Sequence, residues 1–143
     1  MRIVNQIRPH AVRHRHLSLR RGAAMIEFAI CLPVLVLLVF GSIEAASFIF
    51  LKQSLQVAAY EGAREAIRAN ATDATAISRA TAILESRAVR DAVVRFASGS
   101  PATQARGQQT VIEVSAPPRT NSPLAGQWVP NRTLTARLVM LKE

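Results

Sequence analysis

The hydrophobic positions of this chain follow three different periods from one end to the other. Ala23 to Leu51 is apolar on every side, with Glu27 and Glu44 as its charged interruptions. Within it, Phe28 to Ile43 is sixteen residues without a charge. At about 1.5 Å per residue that core covers roughly 24 Å, and the flanking Ala, Phe and Ile residues extend it toward the ~30 Å of a bilayer interior. The core helix of a soluble protein is rarely apolar on all faces for four turns, so the pattern predicts a membrane span. Pro33 predicts a kink, which neighbouring groups in a membrane tolerate. Gly41-Ser42 supplies a second flexible point and a small surface for close packing.

Beyond the span the period becomes helical and then alternating. Gln53 to Arg68 continues as helix, with Glu61–Arg64 and Glu65–Arg68 spaced to pair at i,i+3. Its small face (Leu55, Ala59, Gly62, Ala63, Ala66) fits either tight packing against a neighbour or an ordinary solvated amphipathic helix. Asn70 to Asp73 breaks the pattern, and Thr72 or Asp73 can cap a second helix. That helix is expected from Thr75 to Ala97, on a stripe of Ile77, Ala80, Leu84 and Ala88 that drifts to Val89, Val93 and Phe96. Ser98-Gly99-Ser100-Pro101 ends it.

Thr110 to Ser115 then alternates, with Ile112 and Val114 on one face and Glu113 and Ser115 on the other. Leu134 to Met140 alternates likewise, with Leu134, Ala136, Leu138 and Met140 apolar. The proline-rich stretch 117–131 between them reads as a loop, with Trp128 as an anchor or partner contact. The expected class is α+β in a bitopic membrane protein. An N-terminal transmembrane helix continues into a long helix, followed by a second helix and a small antiparallel strand pair. The divisions are a basic leader at 1–22, the transmembrane helix at 23–51, a helical stalk with the second helix at 52–97, and a β-containing head at 98–143.

Charge sharpens this picture. The net charge is +9 over 143 residues, yet six arginines and no acid lie in residues 1–21. From Gly22 onward twelve basic residues face nine acidic ones, an excess of +3. A basic arm that reads nucleic acid precedes a soluble recognition module; this one precedes a hydrophobic span, so nucleic acid is not an expected partner. The same arginines orient the chain, with the N-terminus in the cytoplasm and everything from Lys52 onward outside it. Cys31, the sole cysteine, lies in the span and excludes an intrachain disulfide. His10, His14 and His16 sit in the arginine-rich leader and read as solvated charge, not a metal site. No catalytic residues, cofactor or small-molecule substrate are expected, since no phosphate-cradling glycine loop or nucleophile–base pair recommends itself.

A secretory signal would be cut after the apolar run and needs small residues at −3 and −1. Cleavage after Ala46 would place Glu44 at −3, which is a poor fit. The alternative is cleavage before the run, on the cytoplasmic side. Gly22 directly precedes the apolar segment, and Glu27 and Phe28 follow five and six residues later. This Gly-x4-Glu-Phe arrangement resembles a prepilin-peptidase site of the Flp type. A carboxylate in a spanning helix costs on the order of 3 kcal/mol, so it is normally kept for function. An interfacial carboxylate reaching headgroups or Arg20 and Arg21 is the plainer account of Glu27.

The resemblance extends along the chain. Arg21-Gly22-Ala23-Ala24-Met25-Ile26-Glu27-Phe28, Leu32-Pro33, Phe40-Gly41-Ser42-Ile43-Glu44 and Gln53 to Ala66 together resemble the TadE-like pseudopilins. Ala45-Ala46-Ser47 departs from them where an aromatic and a glycine are frequent. The resemblance implies a scissile bond between Gly22 and Ala23. It also implies an intramembrane subunit contact at Glu27 and Phe28, where the carboxylate meets the free amine of a neighbouring subunit. Pro33, Glu44, Gly62 and Arg64 fall on pattern positions without an assigned role. The implied function is that of a minor pseudopilin of the Flp (tight-adherence) pilus, a prepilin-peptidase substrate in the bacterial inner membrane. Its implied partners are a sister pseudopilin and the major Flp pilin. The alternative is an uncleaved single-span protein whose periplasmic domain binds another envelope component.

Overall fold

A computed structural model describes residues 16–124 and 132–142, with side chains from Gly22 onward. Trp128 and most of the leader lie outside the described residues. The chain divides into two compact units, 1–39 and 40–143.

The first helix, α1, runs from His16 to Ala66, with Pro33 inside it. In the first unit every described side chain, from Gly22 to Val39, is exposed. Met25 and Leu37 are about three-quarters exposed (75% and 73%) and Phe28 65%. Each such side chain withdrawn from water contributes roughly 2 kcal/mol, so this surface would be stabilised by an apolar environment, which the described residues do not supply. Among the described residues one helix is long and apolar enough to cross a membrane, and none of its most apolar window is buried.

The second unit folds around the C-terminal part of α1. The buried positions there are Leu51, Ser54, Leu55, Ala58, Ala59, Gly62, Ala63 and Ala66, which recur at i, i+3, i+4 and so share one helical face. The small face seen in the sequence is therefore covered by the chain's own head. Asn70, at φ 64, turns the chain after α1. Thr72 then opens α2 (Asp73–Ser86) with a capping box, its hydroxyl accepting from Thr75 N while Thr75 Oγ1 accepts from Thr72 N.

Here the structure corrects the expected helix to Ala97, because α2 stops eleven residues earlier. Ala88 adopts φ 54; its N–H bonds Glu85 O at 2.9 Å, and Val89 N–H bonds Leu84 O at 2.9 Å. This is a Schellman termination built on alanine in place of glycine. The stripe drifted in the sequence because the segment beyond is a strand: β1, Val93–Phe96, rich in the β-branched and aromatic residues that suit a pleated surface.

A short 3-10 turn, Pro101–Thr103, leads to β2 (Gln109–Ala116), and β3 (Leu134–Leu141) closes the sheet. The order is β1-β2-β3, antiparallel throughout. The expected pair is thus the β2–β3 part of a three-stranded sheet. In-register rows Val94–Val114–Ala136 and Phe96–Ile112–Leu138 face the helices. Inside the stretch expected to be loop, Pro118–Asn121 forms a helical turn, α3. Asn121 holds it by accepting from Arg90 N (2.8 Å) while its amide donates to Arg90 O (2.9 Å).

Candidate functional site

The residues singled out by sequence fall into both units. In the first, Gly22 and Ala23 lie within α1, so the bond between them is in helical conformation. A Cβ placed on Gly22 would meet nothing within 4 Å. No packing inside the described chain therefore asks for glycine there, although glycine costs a helix about 1 kcal/mol relative to alanine. Glu27 and Phe28 are both exposed on the same helix, with Ile26 and Ile30 exposed around them. Pro33 is exposed as well and offers no N–H to the carbonyl of Ala29, leaving that acceptor free of its helical bond.

In the second unit the pattern positions acquire contacts. Glu44 is half-buried, and its Oε1 accepts a hydrogen bond from Ser122 Oγ, just beyond α3. A carboxylate in an apolar helix is thereby met by a donor 78 positions away in the chain. Gly62 sits where α1 passes α2 and β2. A Cβ on it would lie 2.8 Å from Ile112 Cδ1, 3.1 Å from the Ala80 Cβ and 3.4 Å from Ala76 O. Here the fold itself leaves little space for a side chain. Arg64 is exposed and belongs to none of the ion pairs among the described residues. The expected Glu65–Arg68 pair forms at 2.8 Å. Glu61 does not pair with Arg64; it takes Arg79 of α2 at 3.0 Å, because the helices bring that guanidinium to it across their interface.

Among the described residues no group of three or more His, Cys, Asp or Glu side chains is placed to hold a metal ion. What the geometry presents is an exposed apolar helix bearing one carboxylate near its N-terminal end, and a separate small packed head.

Residues 22–64 match the family model for TadE-like proteins. This segment is TadE-like. Comparison with curated proteins and with solved structures finds no match. The TadE-like segment begins at Gly22 and ends at Arg64, two residues before α1 does. It thus covers the exposed apolar helix and most of the α1 surface on which the head packs, and it includes Gly22, Ala23, Glu27, Phe28, Pro33, Glu44, Gly62 and Arg64. The remainder of the head lies outside it.

Sequence reasoning missed Ser122 as the partner of Glu44, Arg79 as the partner of Glu61, and the Asn121 clamp. A polar loop residue has no periodic signal, and each of these contacts joins elements distant in the chain. The sheet adds another such group. Glu113 of β2 is held between Arg95 of β1 (2.6 Å) and, more loosely, Arg137 of β3 (3.8 Å). The alternation in the sequence put Glu113 and Arg137 on the outer face; Arg95, expected in a helix, joins them only through β1 and its register.

Proposed function

We propose that this chain is a minor pseudopilin acting in assembly of the Flp (tight-adherence) pilus. In this reading it is a single-pass protein of a bacterial inner membrane, with a cytoplasmic N-terminus and an extracytoplasmic head. Prepilin peptidase removes residues 1–22, leaving Ala23 as the new N-terminus. The spanning part follows from Ala23 and the head continues from Lys52 through the stalk to the sheet. The TadE-like match to residues 22–64 supports pilus-related involvement in general. The observation that carries the finer reading is the contrast between the two glycines. Gly62 is crowded by Ile112 and Ala80, whereas Gly22 has open space about it; Gly41, further along the same helix, shares that openness, but only Gly22 precedes Glu27 by five residues and Phe28 by six. A peptidase subsite that excludes a side chain accounts for Gly22 without appeal to the fold.

Glu27 then acts as a contact between subunits. A bare carboxylate on an apolar helix is costly in lipid, and the amine freed at Ala23 of a neighbouring subunit is the charge that would compensate it. Phe28 flanks that contact. The partners proposed are a sister pseudopilin and the major pilin, and the role is structural, with no catalysis by this chain.

The decisive experiment is N-terminal sequencing of the membrane-extracted full chain, with and without co-expressed prepilin peptidase. A new N-terminus at Ala23 that depends on the peptidase is expected. A chain beginning at Met1 under both conditions overturns the proposal in favour of an uncleaved bitopic protein.

A further inference from the structure

The second unit contains a pocket of about 280 Å³ at the C-terminal end of the apolar run. Phe50 and Leu51 of α1 form one wall. Facing them are the turn after α2, with Arg87 and Arg90, and the α3 segment, with Thr120 and Ser122. Its height along α1 is informative, because Phe50 is half-exposed, the exposed Ile49 precedes it and Lys52 is the first basic residue of α1 after the run. A pocket beside Phe50 and Leu51 therefore lies at the level where apolar helix surface gives way to charge.

The walls are built, not incidental. Ala88 and Asp91 hold positive φ (54 and 53), which sets the path of the turn that carries both arginines. Asn121 bonds the backbone of Arg90 through both its oxygen and its amide and also donates to Pro117 O at 2.8 Å. Ser122 commits its hydroxyl proton to Glu44, which ties the α3 segment to α1. These polar groups are spent on holding the pocket together. The guanidiniums of Arg87 and Arg90 are not, as neither belongs to an ion pair among the described residues. Two arginines outside the ion pairs of the described residues, lining a pocket with one apolar wall, match the chemistry of a phosphodiester attached to hydrocarbon.

We infer that this pocket binds the phosphate of an anionic phospholipid, with the lipid's acyl chains running along the Phe50 side of α1. The inference rests on the membrane-spanning reading of that helix. The two guanidiniums supply the charge complement, and the bilayer supplies the ligand at high local concentration. The head is thereby held against the membrane surface at a fixed height.

The test uses the full chain purified in mild detergent, with bound lipids counted by native mass spectrometry after addition of phosphatidylglycerol or phosphatidylcholine. Phosphatidylglycerol is expected to be retained about ten-fold more strongly, as two basic residues at an anionic surface allow. The double variant Arg87→Gln/Arg90→Gln is expected to lose that preference, while Arg106→Gln/Arg137→Gln, with the same change in charge, keeps it. Equal loss in both double variants, or none in the first, overturns the pocket as the site. Competition by millimolar glycerol phosphate as effective as that by lipid overturns a lipid in favour of a soluble phosphate. Carbonate extraction separates the two readings. Release of the wild-type chain from membranes defeats the spanning helix itself, whereas a chain that stays in the membrane without lipid preference defeats the pocket alone.

Discussion

A glycine and an alanine show how a residue type is chosen for different reasons. At Gly62 the distances of 2.8 and 3.1 Å to Ile112 and Ala80 leave no room for a branched side chain. Gly62→Val is expected to destabilise the head by about 2 kcal/mol, the usual cost of overpacking. Gly62→Ala should fall within about 1 kcal/mol of wild type, since the gain in helix propensity opposes the displacement of the Ile112 methyl. Hydrogen exchange at the amides of β2 in the full chain reads both effects, and unchanged exchange in the valine variant would refute the packing account. Ala88 presents the converse case, an L-residue in left-handed backbone at φ 54. Ala88→Gly relieves that strain at some entropic cost, and a net stabilisation of about 0.5 kcal/mol is expected by the same measurement. A more labile sheet in that variant would show that the termination of α2 is not strained.

At the level of elements, the head is held by rows that cross from one strand or helix to the next. Its inner rows are apolar and join sheet to helices. Its outer face carries Arg95, Glu113 and Arg137 in one row. Both arginines are well exposed (70% and 62%), so this network is screened by solvent and contributes little despite its geometry. Glu113→Gln leaves two guanidiniums across an amide, with an expected loss below about 1 kcal/mol at low salt. That loss should shrink further as salt shortens the screening length. Chemical denaturation at two ionic strengths checks it, and a loss that grows with salt would contradict the electrostatic origin. The pair Glu61–Arg79 bridges α1 and α2 beside the close approach at Gly62, and with Arg79 52% exposed it too is screened by solvent.

For the whole molecule, the proposed processing changes the charge from +9 to +3, because six arginines leave with the leader. The mature form is therefore expected to migrate at a more acidic position on isoelectric focusing, dependent on the peptidase. Gly22→Glu should abolish that shift without altering the head, since nothing in the described fold contacts position 22. Normal processing of Gly22→Glu would remove the basis for the cleavage site. Glu27→Gln is expected to be cleaved as wild type yet to support pilus assembly at about a tenth of its level, as loss of one charge-assisted contact allows. Full assembly by the Glu27→Gln variant would reassign the carboxylate to the lipid interface.

The sequence alone determined the long apolar run, the basic N-terminal segment, the Gly22–Glu27 spacing and the two long strands. Each of these rests on a period or a local charge count that survives without knowledge of contacts. It also carried the family likeness, on residues that lie within one helix. Tertiary structure decided the rest. It ended α2 at Ser86 through an alanine in left-handed backbone, where sequence expects glycine. It added β1 to the sheet, because four residues hold a strand only when a neighbour supplies the hydrogen bonds. It gave Glu44 a donor, Glu61 a different cation and Gly62 a reason, all through contacts between elements that are remote in the chain. Pairings of that kind have no local signature, since the groups involved meet only after the helices and strands have packed.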